Sequence, residues 1–144
     1  MIEIDIDLRR LQRILRATEQ AIEVGLKKGI EEALEYWRDT AQNIAPIGRY
    51  PKRRGGRLRA NIEPTDVTGS GTDLSGTVVA NAHNDGFNYA YYLHEVAPSK
   101  GQHAHEPGTV LEFIEKSRDD NEAKLIRIIE QEIREEVERR SRIR

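Results

Sequence analysis

Cysteine is absent from the 144 residues. Its absence excludes disulfides, thiolate zinc sites and cysteine nucleophiles. Aromatic residues are scarce at 6%, and hydrophobic residues reach only 37%. That composition permits a modest core, thin for a self-sufficient monomer, which a partner would complete. No apolar run approaches the roughly 20 residues of a membrane span. The opening Met1-Ile2-Glu3-Ile4-Asp5 has no basic stretch leading into a hydrophobic one, so no secretory signal is expected. The expectation is a soluble protein made inside a cell. Neither charge dominates: Lys and Arg number 23 against 25 Asp and Glu, for a net charge of −2. A wholly basic nucleic-acid binder is excluded, and any basic function must be local. The length fits one domain.

Residues 2–6 alternate Ile-Glu-Ile-Asp-Ile, a period of two that reads as a short edge strand or as a leader to the first helix. From Leu8 to about Ala45, apolar residues recur at three- and four-residue steps, the signature of an amphipathic helix. Asp7 is placed to cap its start, and Pro46 closes it. Gly25 and Gly29 sit mid-helix, where each costs about 1 kcal/mol against Ala. They mark a bend or the close approach of another helix; the reading favours the bend. Irregular loops are expected at about 46–56, 64–76 and 97–108, where Pro and Gly cluster. Strand character is expected over Arg57–Glu63. Asn84-Asp85-Gly86 is a strong turn signal and predicts a hairpin of 77–82 with 87–94. Thr109 and Glu112 have capping-box spacing before a final helix. The polar run 118–122 offers a place to interrupt it. Leu125, Ile128, Ile129, Ile133 and Val137 then form a narrow apolar stripe, before a basic tail expected to fray. Helices at both ends of a small antiparallel sheet make an α+β layout in a single domain.

Chemistry finds few candidates. His83, His94, His103 and His105, with Glu95 and Glu106, have the residue types of a zinc site but not a specifying spacing, so surface histidines are the default and no metal is expected. There is no Gly-x-Ser-x-Gly elbow and no phosphate-cradling glycine motif. No enzyme activity and no cofactor are expected. The electrostatic anomaly is Arg49, Lys52, Arg53, Arg54, Arg57 and Arg59, six cations in eleven residues without an acid. Three readings stand open: a solvated loop, phosphate contact without base selectivity, and a salt-bridging arm to an acidic subunit. The amphipathic helices also carry more apolar stripe than one small domain needs, which points to a copy of the same chain.

Taken in order, several segments resemble a known family. The long helix ends in Ala41-Gln-Asn-Ile-Ala45-Pro46, followed by Gly56-Arg57-Leu58-Arg59-Ala60-Asn61-Ile62, then Asn88-Tyr89-Ala90-Tyr91-Tyr92-Leu93-His94-Glu95, then a closing helix. This order resembles the small head–tail connection proteins of tailed bacteriophages, the neck or tail-completion family. The resemblance implies a structural virion protein assembled in the host cytoplasm. It implies a homo-oligomeric ring, six subunits preferred and twelve the alternative, that caps the tail tube and docks on the head connector. The genome would pass through its channel with at most transient, sequence-blind contact. Tyr89, Ala90, Tyr91, Tyr92 and Glu95 would lie at the subunit seam, and the Arg-rich loop would face the channel or the adjoining ring. The rival reading is a sequence-nonspecific nucleic-acid-binding accessory protein using residues 49–59. No membrane partner is expected.

Overall fold

A computed structural model describes residues 9–46, 57–80, 83–84, 87–88, 98, 100–101 and 109–142. Strand 2–6 and the Asp7 cap lie outside these residues. Helix α1 spans Arg9–Ile44, on the order of 54 Å at 1.5 Å per residue. Helix α2 is the short turn Arg57–Ala60. Strands β1 (Ile62–Pro64), β2 (Thr68–Ser70), β3 (Asp73–Ser75), β4 (Val78–Ala80), β5 (His83–Asn84) and β6 (Phe87–Asn88) follow. Helix α3, Phe113–Arg142, completes the α+β fold.

The two long helices run antiparallel, and glycine sets their spacing. A Cβ on Gly25 would stand 2.6 Å from the Ile133 Cα, and one on Gly29 would stand 2.7 Å from the Ile129 Cα. Both glycines are buried in an unbroken helix. The expected bend is therefore corrected: these residues admit a second backbone at close range. Ala21, Gly25, Gly29 and Ala33 share the four-residue row that faces α3, and all four are buried. The polar run 118–122 does not interrupt α3 either. Lys116 pairs with Asp120 at 2.9 Å, and the Asn121 amide donates to the Ser117 carbonyl at 2.7 Å, so the charges brace successive turns.

The core sits where the C-terminal half of α1 meets the strands and the start of α3. Leu34, Trp37, Ala41, Ala45, Leu58, Ile62, Val78 and Phe113 form it. The Trp37 indole N–H donates to the Ile114 carbonyl at 2.9 Å and the Ser117 hydroxyl at 3.0 Å. The polar edge of the largest core side chain is thus satisfied.

Two expectations along the chain are redrawn. Residues 57–60 are a helical turn rather than extended, with Leu58 buried, and strand character begins at Ile62. Strand β4 pairs antiparallel with β1, Ile62 opposite Ala80. Of the expected 77–82 with 87–94 hairpin, 81–82 and 89–94 lie outside the described residues; the described part pairs His83 with Asn88 and Asn84 with Phe87. The segment 64–76 is not simply irregular, for β2 and β3 pair across Gly71 and Thr72. Gly71 has φ 60°, as the first loop position of a primed hairpin turn demands. Between the two ladders, residues 65–67 stand opposite 76 and 77, one residue too many, which makes a bulge. Thr65 holds it from both sides. Its amide donates to the Thr77 carbonyl at 2.7 Å, and its hydroxyl accepts from the Thr77 amide at 2.9 Å.

Helix α3 starts at Phe113, later than the capping-box spacing predicts. The Val110 amide donates to the Ile44 carbonyl at 2.8 Å, so this segment is spent on the end of α1. Glu112 takes the cap position instead, its carbonyl accepting from the Lys116 amide at 3.0 Å. The basic tail expected to fray is helical to Arg142.

Candidate interaction surface

Arg49, Lys52, Arg53 and Arg54 lie outside the described residues, as do Tyr89, Ala90, Tyr91, Tyr92 and Glu95. His94, His103 and His105 do too. Among the described residues no group of His, Asp or Glu is placed to hold a metal ion, and no helix is long and apolar enough to cross a membrane. No buried side-chain nitrogen or oxygen among them lacks a hydrogen-bond partner.

Arg57 opens α2. Arg59 Nε donates to the Ala45 carbonyl at 2.9 Å and its Nη2 to the Asn43 carbonyl at 3.3 Å. The Gln42 amide returns a bond to the Arg59 carbonyl at 2.9 Å. Arg59 is half-buried and closes the end of α1, where orphan carbonyls and the negative end of the helix dipole favour a cation. Arg59→Ala is expected to lower stability by about 1–2 kcal/mol. Urea unfolding measures the loss, and Arg59→Lys, which keeps charge without the fork, recovers only part of it.

The structure does gather charge along one side of the α1–α3 pair. Glu136 is buried and takes three cations: Arg139 Nη1 at 2.7 Å, Arg140 Nε at 3.2 Å and Lys28 Nζ at 3.3 Å. Burial pushes its carboxyl up. The hydrogen bonds from Arg140 and Lys28, with the charges of Lys28 and Arg139, outweigh that and hold it below the usual carboxylate range. One turn further along α1 stands Glu32. Desolvation against α3 raises its carboxyl first, the hydrogen bond with Glu132 next, and the charges of Glu132, Glu135 and Glu35 add to both.

The two groups give opposite pH responses. Glu136 binds its proton less tightly folded than unfolded, so it contributes stability above the ordinary carboxylate value, and that contribution is lost as pH falls through its lowered one. Glu32 binds its proton more tightly folded, so it opposes folding at neutral pH. That opposition disappears as pH falls through its raised value to the unfolded one. Glu32→Gln is therefore expected to stabilise at pH 7 by on the order of a few tenths of a kcal/mol, because the group is exposed and screened. Melting temperatures across pH should show the gain closing by about pH 4.

Apolar surface is the other feature. Leu15 on α1, Ile126 on α3 and Val79 on β4 are 58%, 49% and 43% exposed. The only buried side chain between Arg118 and Ser141 is Glu136; Leu125, Ile128, Ile129, Ile133 and Val137 are each half-covered. Leu125 packs against the core cluster, while the others continue the stripe along the helix pair. Arg139 and Arg140, three and four residues after Glu136, are legible in the sequence as helix-face pairs; Lys28 is not, because it stands 108 residues away.

Compared with protein-family models, with curated proteins and with solved structures, the chain matches none of them.

Proposed function

We propose that this chain is a structural, non-enzymatic subunit that closes with copies of itself into a ring at the head–tail joint of a tailed bacteriophage. The ring caps the tail tube, docks on the head connector and leaves a channel for the genome. The observation that carries the reading is the half-covered aliphatic row of α3, from Leu125 to Val137, together with the exposed Leu15 and Ile126 on the same helix pair. Apolar surface of this kind supports contact with another copy of the chain. The family resemblance supplies the kind of assembly. Its first motif has a physical basis in the fold, since Leu58 and Ile62 fill the core and Arg59 closes α1. Six subunits are the preferred count and twelve the alternative. The remaining cations of the Arg-rich segment then face the channel or the adjoining ring, with weak and sequence-blind contact to DNA.

Native mass measurement with negative-stain imaging, alone and after addition to isolated tails, tests this. Rings in solution or on tail ends are the expected result. A protein that stays monomeric and never joins tails overturns it. If that monomer binds duplex DNA with a steep salt slope, abolished in Arg53→Ala/Arg54→Ala/Arg57→Ala, the nucleic-acid reading takes its place.

A further inference from the structure

One flank of the helix pair carries two rows of side chains, each stepping by four residues and so sharing a face. Lys28 and Glu32 lie on α1; Glu132, Glu136 and Arg140 lie on α3. The Lys28–Glu136 pair at 3.3 Å and the close approach of Gly29 to Ile129 and Gly25 to Ile133 set the rows side by side. The charges on this flank do not balance within the fold. At one end three cations share the single carboxylate of Glu136, and Lys28 and Arg139 remain about half exposed, at 47% and 56%. One turn away, about 5–6 Å along the axis, Glu32 and Glu132 meet beside Glu35 and Glu135. The charges that raise the Glu32 carboxyl are those of Glu132, Glu135 and Glu35, while Lys28 stands one turn before it in the same row.

Surplus positive and surplus negative therefore sit next to each other on one face. Such a stripe complements itself. Turned about a two-fold axis, each copy lays its cations on the other's carboxylates; such a contact pairs free copies of the chain and is distinct from the head-to-tail contacts that close a ring. Val24, Tyr36 and Ile128 are half-buried in the same rows and supply apolar contact beside the charges.

We propose that this flank is the docking face for a second copy of the chain, with Lys28, Arg139 and Arg140 of one copy against Glu32 and Glu132 of the other. It rests on the assembly reading above only in that the chain associates with itself.

Sedimentation of the full chain tests it with two reversals, Glu132→Lys and Arg139→Glu. Wild-type protein is expected to associate in low salt and to dissociate as salt rises. Each reversal alone sets like charges together and weakens association by about tenfold or more. An equal mixture of the two variants regains association, because each reversed group then meets its opposite. Glu132→Lys also removes repulsion on Glu32, so its melting temperature should hold, which separates lost docking from lost folding. Variants that associate as wild type does overturn this face and leave the assembly reading standing. A mixture that fails to regain association also overturns the pairing. Wild-type protein that is monomeric even in low salt overturns the face and counts against assembly in solution.

Discussion

Replacing Gly29 by Ala is expected to destabilise the protein, although alanine is the better helix former. On propensity alone the change would gain about 1 kcal/mol. The new Cβ, however, would stand 2.7 Å from the Ile129 Cα and 3.1 Å from its carbonyl oxygen. Those are backbone atoms of a long helix, and they yield only if the helices separate. Overpacking of this kind costs about 1–3 kcal/mol, and the propensity gain is already smaller than the upper half of that range. Gly25→Ala meets the Ile133 Cα at 2.6 Å and the Glu132 carbonyl at 2.9 Å, so the same sign is expected there. The double variant should lose less than the sum, because both sites push the same two backbones apart and one separation relieves both. Urea unfolding decides the matter. Stabilisation by either alanine would mean that the glycines serve a bend and not a contact.

The second large effect belongs to Phe113. It is wholly buried at the start of α3, among the residues of α1, α2 and the β1–β4 ladder. Phe113→Ala is expected to cost about 3–5 kcal/mol through lost burial and the cavity left behind. Domains of this kind have only about 5–15 kcal/mol in total, so the variant should melt far below wild type. Phe113→Leu keeps most of the volume and should cost under about 1.5 kcal/mol. Thermal melts of the pair separate packing from helix initiation. If leucine fails as badly as alanine, the ring contributes more than its volume.

Much of the fold was legible because its signals are local. The apolar period of α1, its stop before Pro46 and the pairing of 83–84 with 87–88 each depend on neighbours in sequence. What escaped depends on contacts between distant segments. Gly25 and Gly29 read equally well as a bend or a seam until Ile133 and Ile129 are placed beside them. Thr109 has the residue type of a cap, but the Ile44 carbonyl claims the Val110 amide and moves the helix start to Phe113. Arg59 looked like one more cation in a basic run, and only the proximity of Ala45 and Asn43 turns it into a helix cap. The candidate flank was the least legible of all. Its acids and bases read as ordinary solvated helix faces, and their imbalance exists only once two helices are laid antiparallel.

The bulge at residues 65–67 has a consequence for how the molecule behaves among its neighbours. Along β1 the inward positions are Ile62 and Pro64, yet the next inward side chain is Val67, so inside passes from even to odd numbers. On the opposite strand Gly76, Val78 and Ala80 keep one parity throughout, with Gly76 against Leu34. Removing Asp66 alone would restore a common register and leave Val67 facing inward. The result would be one straight ribbon with two long open edges, the kind of surface onto which stray strands add. The surplus residue interrupts the ladder and shortens each edge, and so limits the edge on which another strand could add.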